Sequence, residues 1–411
     1  MALLLKKSIM GALREGCYGN SSKKRNIMGF LLGRKLWDFF PSYLKQNKEE
    51  NKMTEEKEIQ TNLTKLNKTN WRLYNLSKME EKRLFYDLLY ELAQIIPETE
   101  AKNGRPPTPV KDLFFSLGLK LYSNYSGRKV ITDLKHAKSL NYISVAPHFN
   151  TMHDFLQCPA TYDLLKKLLI ISALPLKLLE DTFSMDASGF GSYGSESWRK
   201  VKYGKYNKNR NWKTFLKGHI LIGTRTNVIC SCEVTNARVG DVTMAPNLLQ
   251  QANGNFDIKE VSADKAYSSH RILQIIKSID AMPFVAFREG TNPNQYSPEI
   301  WIKMYKYFQD NKEDFMKRYH LRSNVETTFS MVKMRLGEFL KCKKFEAQRN
   351  ELMMKFICHN ICCLVTQKFI HKIEINFKTC EESFVNKPLK DYIKPKREDK
   401  RKNNRLGMIK F

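Results

Sequence analysis

The sequence contains no apolar run as long as a membrane span, which excludes a helical membrane protein. Its nine cysteines are scattered, with no even framework and no pair of C-x-x-C knuckles. That excludes a disulfide-stapled secreted scaffold and points to a reducing compartment. The apolar start is broken by Lys6, Lys7 and Arg14, and no adequate h-region follows, so no signal peptide is expected. No internal repeat sets a period. Acids are scarce: 42 Asp and Glu face 70 Lys and Arg, a net charge of +28. An enzyme of small metabolites rarely needs such a field, whereas phosphate polyanions attract it. Charge alone leaves a ribosome-associated or merely basic protein open.

What is present fits a soluble cytoplasmic chain, nucleoid-associated, of two or three domains. Residues 1–70 read as a basic flexible leader, with a Lys/Glu/Asn-rich stretch from Lys45 to Lys68. From Leu76, apolar residues recur at helical spacing, among them Leu84, Leu88, Leu89, Leu92 and Ile95. Residues 71–180 are therefore expected to be helical. Three compact helices within them resemble a helix-turn-helix unit, with His148, Asn150 and Thr151 at the start of a recognition helix. A plain helical subdomain fits the same pattern. Residues 181–365 turn to mixed α/β, and residues 366–411 form a basic tail. The predicted order is three strands, a helix, a strand, a helix, a strand and a helical region, with breaks, over about Trp301–Thr366. That is the element order of an RNase H-like domain, a mixed sheet with flanking helices.

Phosphodiester chemistry without a covalent enzyme intermediate needs metal ions held by about three converging carboxylates. Asp186 is predicted at the end of one strand and Asp264 at the end of another. Each alone is commoner as a turn or cap than as a ligand. Tyr319, Arg322, Glu326 and Lys333 are more specific: at roughly 100° per residue they share a stripe about 60° wide on one continuous helix. A hydrophobic core rejects that set, leaving a solvated salt-bridge ladder as the bland alternative.

The run Tyr319-x-x-Arg322-x-x-x-Glu326-x-x-x-x-x-x-Lys333 resembles the Y-(2)-R-(3)-E-(6)-K signature of DDE transposases from bacterial and archaeal insertion sequences. The segments around Asp186 and Asp264 are similar to that family's two Asp segments, with Ala266 where Gly is commoner. The likeness spans roughly residues 104–364. It implies an enzyme that binds the terminal inverted repeats of an element, cleaves its ends and joins them to target DNA. It also implies Asp186, Asp264 and Glu326 as catalytic metal ligands for two Mg²⁺ or Mn²⁺ ions per site. Tyr319, Arg322 and Lys333 would then lie on double-stranded DNA, in a dimer or higher assembly on paired ends.

The segment from Trp198 to Lys217 adds eight bases and no acid, interleaved with aromatics. Its Trp198, Arg199, Lys200, Lys202, Lys205 and Arg210 are candidate DNA contacts, by phosphate pairing and base stacking. Cys358, His359, Cys362 and Cys363 lack a second ligand pair and read as buried thiols with a structural histidine. His219 also reads as structural, and Asp241, after Gly240, as a helix N-cap. A nuclease that cuts without joining, and a non-catalytic descendant, are the rival readings.

Overall fold

The computed structural model describes residues 70–98, 107–192 and 215–379, all within one compact body, Lys68–Phe411. The leader through residue 69 and the tail from residue 380 lie outside the described residues.

Five helices come first: α1 (Trp71–Ala93), α2 (Val110–Tyr122), α3 (Ile131–Ser139), α4 (Phe149–Gln157) and α5 (Ala160–Ala173). Asn70 caps α1 by accepting from Leu73 N at 3.2 Å, and the predicted stripe at Leu84, Leu88, Leu89 and Leu92 is buried. Pro109 precedes α2, where a missing N–H is harmless. His148 starts α4, its Nδ1 accepting from Asn150 N at 3.3 Å.

Five strands follow: β1 (Thr182–Gly191), β2 (Phe215–Gly223), β3 (Ile229–Asn236), β4 (Glu260–Ala263) and β5 (Met282–Val285). Their order is β3-β2-β1-β4-β5. The first three run antiparallel, while β4 lies parallel to β1 and β5 parallel to β4. This mixed sheet matches the RNase H-like expectation. Between and after the strands come α6 (Asp241–Asn253), α7 (His270–Ser278), α8 (Glu299–Asp310), α9 (Lys312–Tyr319), α10 (Ser323–Leu336) and α11 (Phe345–His371).

Strand alternation assigns the faces. Ser231 on β3 donates to Leu248 O, so α6 covers the face that also carries His219 and Ala187. The opposite face carries Asp186, Ser188 and Phe190. There Phe190 meets Phe329 of α10 and Phe356 of α11, with ring centroids 6.2 and 5.9 Å apart. Helix α11 also packs on α1, α2, α4 and α5, and Asn360 on it bonds both Ile229 N and Ile229 O of β3. Sheet and helical layer therefore share one core.

The β2–β3 turn is organised by a buried acid. Glu180 accepts from Arg225 N, Thr226 N and Thr226 Oγ1 at 3.2, 2.7 and 2.7 Å. Gly223 must be glycine, because a Cβ there would lie 2.2 Å from Glu180 Cδ. One detail departs from the sequence reading. β1 continues past Asp186 to Gly191, because β2 goes on supplying ladder partners after β4 stops. The helical region that follows is broken, as expected, into four helices, and Gly337, at φ 86°, ends α10.

Candidate active site

Register brings two of the predicted carboxylates together. The parallel ladder of β1 and β4 ends at Met185 opposite Ala263, so Asp186, next on β1, and Asp264, the first residue past β4, follow the last paired positions. Neighbouring strands lie about 4.8 Å apart, and residues in register share a face. Two buried serines pin this alignment two residues upstream. Ser184 Oγ donates to Ser262 O at 3.2 Å, and Ser262 Oγ donates to Phe183 O at 3.3 Å. A slip by one residue would break both bonds and turn Asp186 to the other face.

Glu326 stands in the first turn of α10, close enough for its charge to act on Asp186. Asn324 Nδ2 donates to Thr224 O at 3.1 Å, and Thr328 Oγ1 donates to Asn324 O at 2.9 Å. At the other end Lys333 Nζ donates to Ser188 Oγ at 3.0 Å and lies 5.0 Å from the Phe190 ring centre. The helix thus runs along β1, with Lys333 beside the residues two and four beyond Asp186.

The continuous helix behind the predicted stripe is interrupted. His320–Arg322 form a 3-10 turn between α9 and α10. Tyr319 is buried at the end of α9, its hydroxyl facing Asp264 and Arg322. The Arg322 guanidinium lies 5.4 Å from the Tyr319 ring and donates to Glu326 Oε1 at 3.0 Å. The Arg322–Glu326 contact is the pair a surface ladder would show. A ladder does not explain the buried phenol toward Asp264, nor a Lys333 that bonds the sheet.

Electrostatically the carboxylates act on one another. Burial pushes the half-buried Asp186 carboxyl up to about 6, and the charges of Asp241, Asp264 and Glu326 push the same way. The Ala187 N–H opposes them. Among the described residues, no three His, Cys, Asp or Glu side chains are close enough to hold a metal ion. The donor set nonetheless fits a hard divalent cation, since mutually repelling carboxylate oxygens lower their energy when one enters.

Residues 177–361 match the family described as the transposase DDE domain. The chain carries a DDE transposase domain, and it is an enzyme of that nuclease/transferase kind. No curated protein matches the chain. Among solved structures, a piggyBac transposase synaptic complex with hairpin DNA is 10% identical. The match covers 74% of this chain and 82% of that one at a TM-score of 0.37, too slight to bear on residues or roles.

The matched domain holds two polar residues that the sequence reading gave structural roles, Asp241 and His219, and one to which it gave none, Tyr267. Asp241 opens α6 but does not cap it: its Oδ1 accepts from Lys217 Nζ at 2.9 Å and lies 3.6 Å from His219 Nδ1. His219 is fully buried and bonds Thr235 Oγ1 through Nε2 at 2.8 Å. Burial holds it down to about 4 although Asp241 pulls upward, so it is neutral at pH 7. Tyr267 is 1% exposed, and its hydroxyl has no hydrogen-bond partner among the described residues. Burial and the charges of Asp186, Asp241 and Asp264 raise that phenol well above its usual range. Its signal was legible as the spacing Asp264-x-x-Tyr267. Trp198, Arg199, Lys200, Lys202, Lys205 and Arg210 lie outside the described residues. Cys358, Cys362 and Cys363 are buried free thiols. His359 is buried beside them, bonding Asn227 O through Nε2 at 2.9 Å.

Proposed function

We propose that the chain is the transposase of an insertion sequence, in the bacterial and archaeal group with the Y-(2)-R-(3)-E-(6)-K signature. It binds the element's terminal inverted repeats, hydrolyses the phosphodiester at each 3′ end and joins the freed 3′-hydroxyl to target DNA. Asp186, Asp264 and Glu326 are its catalytic carboxylates. The observation that supports this reading is the register-locked pair Asp186 and Asp264, with the charge of Glu326 acting on Asp186, inside the matched domain.

These three residues would hold Mg²⁺ or Mn²⁺, two ions per site. When bound, the ions supply activation of the attacking oxygen and stabilisation of the leaving one. The chain's own task is alignment. Lys333 offers a cation two residues along β1 from Asp186, where it takes the phosphate beside the reacting one. Arg322 presents a planar fork at the mouth of the site and, with Tyr319, orients the same strand. The helical layer, through α4, and the basic segment containing Trp198 and Arg210 hold the rest of the duplex. Two chains or more pair the two ends, in the cytoplasm at the nucleoid.

The test is catalysis by single alanine variants at Asp186, Asp264 and Glu326, on DNA from either flank of the coding frame. Each variant should lose cleavage and joining while keeping DNA affinity within about twofold, since truncating a site carboxylate spares phosphate contacts. Near-normal cleavage by any one of them removes that residue from the site. Cleavage by the parent without strand transfer from pre-cut ends would favour the nuclease.

A further inference from the structure

Beyond the C-terminal end of α10 two loops meet. One, residues 123–130, joins α2 to α3; the other, residues 337–344, joins α10 to α11. Lys341 fastens them, its Nζ donating to Asn124 O at 2.9 Å and to Asn124 Oδ1 at 2.8 Å. Lys355 sits behind, donating to Gly337 O at 2.8 Å and Phe339 O at 3.0 Å. Burial pushes its amine down to about 8, against the pull of Glu351; Lys341 and Lys120 add to the depression. Lys120 is 3% exposed, yet it makes no hydrogen bond or ion pair with a described residue.

The cluster contains too little negative charge. Glu351, the buried carboxylate here, is engaged by the backbone N–H groups of Lys341 and Cys342. On the rim Lys129, Lys343 and Lys344 are exposed and form no ion pair among the described residues. Exposed lysines without a counter-charge, on loops already rich in amines, leave this surface strongly positive, so it suits an anion supplied from outside.

Its position says which anion. Leu340 N donates to Gly191 O at 2.8 Å, fixing the second loop to the end of β1. Gly191 is five residues past Asp186, about 17 Å at a strand rise of about 3.3 Å. Lys333, at Ser188, lies between them. Successive phosphates of one strand advance about 3.4 Å along the duplex axis, so with the duplex running along β1 the loops stand about five phosphates from the carboxylates. We infer that the loops at residues 123–130 and 337–344 form a second phosphate-binding surface. It holds the DNA backbone about five nucleotides from the reacting phosphate. The inference rests on the transposase reading, because the distance is counted from Asp186.

The experiment compares the full chain with Lys343→Gln/Lys344→Gln, two exposed positions whose replacement leaves the core untouched. Affinity for a duplex of about 30 base pairs is measured by anisotropy over about 50–200 mM salt. Two lost contacts should lower the slope of log affinity against log salt by about two units, and the affinity at low salt by at least about tenfold. Lys303→Gln/Lys312→Gln, exposed on α8 and α9, removes the same charge and should move the slope by under about half a unit. Equal effects from both pairs mean bulk charge alone and overturn the inference, as does an unchanged slope. Inorganic phosphate at matched ionic strength should leave the difference intact; if it abolishes it, the ligand is a small anion, not DNA. A neutral methylphosphonate about five nucleotides from the cleaved bond should weaken the parent and spare the variant. If the parent cleaves and the slopes agree, this surface alone fails. If the slopes differ but no DNA is cut, the surface stands and the transposase reading fails.

Discussion

Replacing Asp186 by Asn should abolish cleavage and at the same time make the metal-free protein more stable. The folded chain holds the Asp186 carboxyl at about 6 rather than at its ordinary 3.8, first through burial and then through three neighbouring carboxylates. Asn keeps the shape and can still accept from the Ala187 N–H, but it carries no charge to desolvate. Two units correspond to about 3 kcal/mol, and discounting for solvent screening leaves about 1–3 kcal/mol. The sign is fixed by linkage: the folded state binds the proton more tightly than the unfolded state. The penalty is therefore absent below about pH 4, grows as the pH rises and is complete above about pH 6.

Urea unfolding of parent and variant in EDTA, at pH 4 and at pH 7.5, measures it. The variant should match the parent at pH 4 and exceed it at pH 7.5. Saturating Mg²⁺ should close most of the gap or reverse it, because the parent gains more binding energy, about 2.7 kcal/mol at a hundredfold excess over Kd. A variant that gains nothing at pH 7.5, or gains equally at both pH values, refutes the account of Asp186 as a buried, repelled charge. A parent indifferent to Mg²⁺ separates that repulsion from any metal.

Other outcomes follow from the same geometry. Mg²⁺ or Mn²⁺ should support cleavage and joining, whereas Ca²⁺ should allow DNA binding with little chemistry; full activity in excess EDTA eliminates the metal site. Lys333→Ala should weaken end-DNA binding, lower the salt slope by about one unit and slow cleavage, with Lys333→Arg recovering much of the affinity. An unchanged slope would return Lys333 to a purely structural bond with Ser188. Gly223→Ala should destabilise the fold by about 1–3 kcal/mol, because its methyl would meet the Glu180 carboxylate; calorimetry within about 0.5 kcal/mol of the parent contradicts this.

Much of the catalytic domain was legible because its elements announce their periods. The strand runs, the hairpin turn at residues 224–227 and the order of elements come from local pattern. What pattern cannot reveal is which partner wins. Nothing in Ser188-Gly189 promises that β1 continues beyond Asp186; β2 decides it. His320-Leu321-Arg322 contains no helix breaker, yet the helix tightens there, where Tyr319 and Arg322 turn toward Asp264. Asp241 follows a glycine at a helix start and so reads as a cap, but Lys217 and His219 from β2 are the charged and buried groups it meets. Ser184 and Ser262, which set the register of the two aspartates, look like ordinary strand residues until the strands are adjacent.

The three carboxylates are supported unequally, and that bears on how the site would assemble. Asp186 and Asp264 directly follow the last pair of a cross-bonded ladder, whereas Glu326 projects from a helix with its side chain 61% exposed. The anchors of that helix, at Asn324, Thr328 and Lys333, set its height along β1 but do not draw the Glu326 carboxylate inward. Arg322 holds Glu326 on the outer side. A rotamer change at Glu326 away from Arg322 is a small motion, and the like charges on the sheet oppose it. A divalent ion held by these carboxylates would offset that repulsion, and a DNA phosphate would give Arg322 another partner. Metal and DNA therefore favour the same rearrangement. That coupling is the physical reason for expecting chemistry only when both are bound.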